Sequence, residues 1–418
     1  MELKRVVVTG IGAITPIGNT APEYWEGLLK GANGCATITH FDTSKFKTKI
    51  ACEVKGFDEK DYFDRKEARK FDRYAKYGMV AASEAVQDSG IDDAEIDHDR
   101  VGVIWAAGIG GLDTFQKEIS AFATGNGTPR FNPFFIPKMI ADIAAGQISI
   151  KFGFRGPNFA TVSACASSAN ALSDAYNYIR LGKACAFVVG GSEAAVTPVG
   201  VGGFNAMHAI STRNDDPATA SRPFDVDRDG FVIGEGGAGL IFEELEHALA
   251  RGAKIYGEVA GAGLSGDAYH MTAPHPEGYG AYLCMKEAIK DAGLQLEDID
   301  HINTHGTSTP VGDIVEPLAI NKLFGEHAYK ININSTKSMT GHLLGGTGAA
   351  EAIAALLAVK NDLVPPTINQ FNLDPKIDSK LNFTFGNKAV KRTVNAALSN
   401  TFGFGGHNAS IIFKKFRQ

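Results

Sequence analysis

Short apolar runs alternate with amphipathic or small-residue stretches along the whole chain, the rhythm of strands feeding helices in an α/β protein. Lys4–Thr9 is continuous and β-branched, as expected of a strand buried on both faces, and the glycines that follow read as its closing turn. Thr20-Ala-Pro-Glu23 is a capping-box sequence that opens a helix through Leu29. Arg65–Asp88 predicts one long helix, Val101–Ala107 a buried strand, Phe135–Phe152 a helix and Asn158–Val162 a short strand. Ser167–Leu181 is small and apolar enough for a buried helix, and a strand follows at Ala186–Gly190. The later half predicts strands at Ile255–Ala260, Ile299–Asn303, Ile331–Asn334, Ala396–Asn400 and Ala409–Phe413. Its helices fall at Gly280–Asp291, Val311–Leu323 and Leu343–Val359. Arg213–Glu235, rich in Gly, Pro and Asp, is too long for an ordinary connection and predicts a functional or interfacial loop.

A weak repeat runs through this order. The sequence of strand, turn, Cys165 and small-residue helix recurs as Ile331–Asn334, a turn, His342 and the helix after it. Each is preceded by a strand ending in a polar or glycine loop, Val101–Gly111 and Ile299–Gly312. Both loops then lie at carboxyl ends of strands, where open α/β sheets bind ligands.

Composition narrows the classes. Lys and Arg number 41 against 47 Asp and Glu, a net charge of −6, which argues against nucleic acid as a partner. No apolar run reaches the roughly 18 residues of a spanning helix, so no membrane association is expected. Five cysteines without CxxC spacing fit a reducing compartment and a cytoplasmic protein. Glycine stands out, with 48 of 418 residues against an average of about 7%.

Cys165 lies in Thr161-Val-Ser-Ala-Cys-Ala-Ser-Ser, between an apolar strand and a helix of little bulk. A thiol at a helix start feels the positive end of the dipole, which favours the thiolate a nucleophile needs. Cys35, Cys52, Cys185 and Cys284 have no such context and read as small buried hydrophobes. His305 and His342 each follow a strand in a glycine-rich loop, where backbone can approach something small. Thr401-Phe-Gly-Phe-Gly-Gly-His-Asn408 is a third such turn, readable as a plain hairpin or as part of an oxyanion hole. Asp225-Val-Asp-Arg-Asp-Gly230 begins like a calcium loop but has Gly236 at the twelfth position, so pairing of Asp with Arg is the better reading and no metal is expected. Gly10-Ile-Gly-Ala lacks the third glycine of a dinucleotide fingerprint.

These segments together closely resemble the β-ketoacyl-acyl-carrier-protein synthases, in particular the elongating type II condensing enzymes of bacterial fatty-acid synthesis. The resemblance spans Arg5-Val-Val-Val-Thr-Gly-Ile-Gly to Asn400-Thr-Phe-Gly-Phe-Gly-Gly-His-Asn. It takes in Gly108-Ile-Gly-Gly, Ser163-Ala-Cys-Ala, Arg222-Pro-Phe-Asp, His305-Gly-Thr-Ser-Thr-Pro and Lys337-Ser-Met-Thr-Gly-His. It implies a thiolase fold, five layers αβαβα from two similar halves, in a homodimer. The halves are expected at 1–253, with the nucleophile, and 254–418, with both histidines.

By resemblance, Cys165 accepts the acyl group, and His305 and His342 assist decarboxylation of a malonyl thioester, giving a 3-oxoacyl product and CO2. The amides of Cys165 and Phe402 resemble an oxyanion hole, and Phe402, with room from Gly403 and Gly405, resembles a gate. Lys337 and Glu351 resemble supporting charges. Ile109 is expected at the floor of the acyl tunnel, and Thr304 and Thr307 beside the pantetheine arm or malonyl group. No free cofactor is implied, because substrates ride on the arm of an acyl carrier protein. Lys66, Arg69, Lys70 and Arg130 match docking positions for that acidic partner. His208 departs from the arginine of the relatives. A degradative thiolase would need a second catalytic cysteine, an initiating synthase an asparagine for one histidine, and a silent partner subunit no nucleophile. A polyketide ketosynthase shares the triad, and a cysteine hydrolase leaves the second histidine and the Lys337 loop unexplained.

Overall fold

Continuous apolar strands need cover on both faces, and three helical layers supply it. The computed structural model describes residues 3–93 and 95–417. Ten strands join in one mixed sheet. They are β1 (Val6–Ile14), β2 (Val101–Ala106), β3 (Asn158–Phe159), β4 (Ala186–Glu193), β5 (Gly236–Glu244), β6 (Gly257–Gly266), β7 (His301–Asn303), β8 (Asn332–Asn334), β9 (Ala396–Gly403) and β10 (His407–Lys414). The spatial order is β8-β7-β9-β10-β6-β1-β5-β4-β2-β3. Outward from the middle, both halves therefore run first, fifth, fourth, second, third. The directions match as well: the two inner pairings are antiparallel and the two outer ones parallel in each half. Antiparallel pairing of Val6–Val8 with Gly257–Val259 joins the halves.

The helices repeat too. α1 (Arg73–Ser89) and α3 (Tyr279–Asp291) follow the first strand of each half, and α2 (Ser167–Arg180) and α5 (Thr347–Asn361) precede the fourth. α4 (Gly312–Phe324) packs beside α3. Side chains alternate between layers as a strand's period of two requires. Phe187 and Val189 of β4 face the central layer of α2 and α5, while Ala186 and Val188 face α1. Ala397 and Ile411 face the same central layer from the other half, while Leu398 and Ile412 face α3. This is the five-layered αβαβα arrangement of two similar halves. No helix among the described residues is long and apolar enough to cross a membrane.

Several expectations shift for physical reasons. β1 does not turn at Gly10 but runs on to Ile14. A Cβ at Gly10 or Gly12 would sit 2.2 Å from the Ala85 carbonyl or 2.1 Å from that of Ala81, so these glycines let α1 lie on the strand. The helix expected over Arg65–Asp88 breaks at Asp72, which caps α1 through the Tyr74 amide and also accepts from the amide and hydroxyl of Thr114. Phe135–Phe152 divides into Phe135–Met139 and Ile143–Phe152. β5 was not expected, because its glycines mask the strand signal; Gly239 lies against the Trp105 ring. The repeat is also displaced from its predicted alignment. A one-turn helix, Ala164–Ala166 or Leu344–Gly346, opens each central helix, and its first residue takes φ of +51° or +47°. The counterpart of Cys165 is thus Gly345, not His342.

The central helices touch at their starts, where a Cβ on Gly348 would come 2.7 Å from the Ala169 amide nitrogen and 2.9 Å from its Cβ. Gly348→Ala should therefore destabilise the fold by about 1–3 kcal/mol through overpacking, despite its gain in helix propensity. Unfolding midpoints in heat and denaturant check this, and an unchanged or raised midpoint contradicts it.

Candidate active site

The turn at Ala164–Ala166 ends an extended segment and starts α2, so Cys165 is held by backbone rather than by its side chain. Gly403, at the end of β9, presses on this turn: a Cβ there would lie 2.7 Å from the Ser163 carbonyl and 3.1 Å from the Cys165 nitrogen. The thiol is buried. Burial pushes it up to about 11, against the pull of Lys337, the Phe404 amide and its own amide. The sequence had suggested a helix-start thiolate, but desolvation outweighs the charges and dipoles that favour it. The Phe404 amide, two residues after Phe402 in the same turn, favours the thiolate.

His305 and His342 come together from two loops, their rings 5.3 Å apart at 85°. His342 Nδ1 lies 2.9 Å from the Thr347 hydroxyl, and its buried Nε2 has no protein partner. A hydroxyl donating to Nδ1 places the ring proton on Nε2, free for a substrate oxygen. His305 Nδ1 is likewise unpartnered. Both imidazoles titrate well below the usual histidine range, first because they are buried and then because of the Lys337 ammonium. They are neutral N–H donors or proton acceptors at neutral pH.

Lys337 is itself buried and donates to Glu351 Oε1 at 2.6 Å, where the Thr336 hydroxyl adds a second donor at 3.0 Å. The pair stands behind the histidines and does not line the cavity.

A cavity of about 520 Å³ connects these groups, lined among others by Cys165, His305, His342, Ile109, Phe402 and Gly403. Phe402 lines the cavity with its ring 5.7 Å from that of His305. Thr307 lines the cavity, but Thr304 does not: it is fully buried, and its hydroxyl donates to the Asn334 carbonyl. That side chain shapes the His305 loop instead of meeting a ligand. Lys66, Arg69, Lys70 and Arg130 are exposed and lie outside the cavity lining. His208 takes φ of +54° and lines the cavity from an exposed position. Cys35, Cys52, Cys185 and Cys284 are buried elsewhere.

The long Arg213–Glu235 stretch is a neighbour of the site. Arg228 pairs with Asp374 at 2.8 Å, and Asp225 accepts from the amides of Phe371 and Asn372. The far end then meets His342, with the Phe231 ring 5.3 Å away and the Val232 carbonyl accepting the His342 amide.

Two carboxylates escaped sequence reading. Glu316 of α4 accepts from the amides of His305 and Gly306 and from Asn400, and burial raises it to about 7. Glu193 accepts from four amides on glycine loops. The only sequence signal for either is a charge inside an apolar element.

Residues 3–248 match the model of the β-ketoacyl synthase N-terminal domain, and residues 256–371 that of its C-terminal domain. The chain is 50% identical over 417 residues to 3-oxoacyl-[acyl-carrier-protein] synthase 2 of Synechocystis sp., covering 100% of this chain and 99% of that protein. A β-ketoacyl synthase structure from Burkholderia phymatum superposes with a TM-score of 0.92 at 35% identity, over 99% of this chain and 100% of that one. A ketosynthase solved in complex with its type II polyketide acyl-carrier protein gives 0.90 at 32% identity, over 99% and 100% of the two chains.

With the thiol raised to about 11, alkylation of Cys165 by iodoacetamide should rise about tenfold per pH unit between about pH 7 and pH 9, with no plateau. Peptide mass spectrometry checks this, and a rate flat across that range would mean a resting thiolate.

Proposed function

The chain belongs to the β-ketoacyl synthase family, and from that premise we propose that it lengthens acyl chains on acyl carrier protein by decarboxylative condensation with a malonyl unit. The observation that carries this reading is the convergence of one buried thiol and two neutral histidines on one cavity.

Cys165 exchanges its thiol proton for the acyl group of a carrier thioester, and the carrier leaves as a free thiol. The proton passes through an imidazole, which is neutral and able to take it. A malonyl thioester then enters on the side of His305 and His342. The carbon–carboxylate bond breaks, CO2 departs, and its electron pair becomes an enolate. Neutral imidazole N–H groups hold the enolate oxygen as charge develops, without the loss of a proton that an imidazolium would risk. The enolate carbon attacks the acyl-cysteine and expels the thiolate, which is reprotonated. Phe402 divides the two substrates, Ile109 shapes the acyl end and Thr307 faces the carrier's arm. The Lys337–Glu351 pair holds a positive charge near both histidines and keeps them unprotonated.

Residues 1–253 and 254–418 are read as the two halves. A homodimer is supported by β3, which ends the sheet, and by the exposed Phe122, Phe131, Phe134, Ile136 and Val162. Lys66, Arg69, Lys70 and Arg130 give an acidic carrier a basic landing site on a chain of net charge −6. A cytoplasmic setting follows from the free cysteines and the soluble substrates of this reaction.

Mass spectrometry after mixing with acyl-loaded carrier protein should find the acyl group on Cys165, and malonyl carrier should then release CO2 and a 3-oxoacyl product. Absence of the adduct, or simple hydrolysis, overturns the reading. Cys165→Gln should lower condensation by about 10³-fold or more while malonyl decarboxylation persists.

A further inference from the structure

Glu193 is the last residue of β4 and is fully buried. Its Oε2 accepts from the amides of Gly108 at 2.7 Å and Gly345 at 3.2 Å, and its Oε1 from that of Gly110 at 3.0 Å. The Ile109 amide is shared, 3.2 Å from each oxygen. Every donor is backbone, and three of the four belong to the turn that carries Ile109 into the cavity. The fourth belongs to the turn that follows His342. No side chain fits between these parts: a Cβ on Gly345 would lie 2.1 Å from the Gly108 nitrogen, and one on Gly108 would lie 2.8 Å from Oε2.

The duplicated architecture gives this arrangement a meaning. Each fourth strand ends against the one-turn helix that opens the other half's central helix. β9 ends in Gly403 against the Cys165 turn, close to the Ser163 carbonyl and the Cys165 nitrogen. β4 ends in Glu193 against the Gly345 turn, where a carboxylate fills the equivalent space and takes up its amide. In one half the turn faces a glycine and lines the cavity; in the other it is closed by a built-in carboxyl group, which burial raises to about 7.

Resting on the reading of Ile109 as part of the acyl pocket, we propose that Glu193 is a positioning residue that fixes the depth of that pocket from behind. Holding three successive amides, the carboxylate sets the rotation of the Gly108–Gly110 turn and so the reach of the Ile109 side chain. Gly110, at φ of +85°, needs the left-handed conformation that this turn imposes.

Two variants test this. Glu193→Gln replaces an acceptor oxygen with an NH2 group facing amide donors, and Glu193→Asp keeps the carboxyl group but shortens the reach. Acyl carriers of short and long chain are compared by kcat/KM, and malonyl decarboxylation is measured separately. Both variants should shift the long-to-short ratio by about tenfold, with malonyl decarboxylation within about twofold of the parent. The proposal is overturned if the length ratio stays at the parent value in the folded variants. Should Glu193→Gln fail to fold, an unchanged ratio in Glu193→Asp is enough to overturn it. If the parent itself takes no acyl group on Cys165, the functional reading fails instead, before any length ratio is compared.

Discussion

The site depends on backbone approaching backbone where the two halves meet. The starts of α2 and α5 touch through Gly348 and Ala169, the Gly345 turn rests on the Gly108 nitrogen, and Gly403 rests on the Cys165 turn. Approaches of this kind leave no space for a side chain, which is why glycine and alanine crowd these segments. The result is rigidity without bulk. Amides converge on the reacting atoms because the chain itself forms the walls, and a cavity of about 520 Å³ remains inside a closely packed interface.

Charge follows from the same burial. Cys165, His305 and His342 are uncharged at rest: a thiol held protonated and two imidazoles held neutral. Lys337, a buried cation beside them, is matched by Glu351 at 2.6 Å, so the interior carries a compensated pair there instead of a lone charge. Removing either partner would strand the other in a low-dielectric region, at a greater penalty than the pair itself is worth. Lys337 therefore acts at a distance. It favours the anion at the Cys165 sulfur and opposes a proton settling on either histidine, without lining the cavity.

Much of this was legible in the chain, and the failures have physical causes. The small-residue helix after Cys165 and the glycine loops around both histidines are patterns that local chemistry dictates. β5 was hidden because a strand built for contact with a tryptophan face needs glycine, which propensity reads as loop. The run from Arg65 to Asp88 looked continuous because nothing local reveals that Asp72 is claimed by Thr114, distant in sequence. Thr304 looked like a ligand contact because a hydroxyl beside a catalytic loop serves structure or substrate equally well, and only its bond to Asn334 decides. Glu193 and Glu316 left no pattern, since their donors are amides that any sequence provides.

The displaced repeat carries the deeper consequence. Aligning His342 with Cys165 suggested two halves that each contribute one chemical group at matching positions. The shared left-handed residues, Ala164 and Leu344, place Gly345 there instead. The same turn thus has two settings in one molecule. In the first half it carries Cys165 and faces a glycine, and in the second it carries a glycine and faces a carboxyl group. The carboxyl of Glu193 takes up amides of the Gly108 and Gly345 turns, so backbone packed too closely for side chains is not left unpaired. The turn that carries Cys165 keeps its place on the cavity of about 520 Å³, which His305 and His342 reach from other loops.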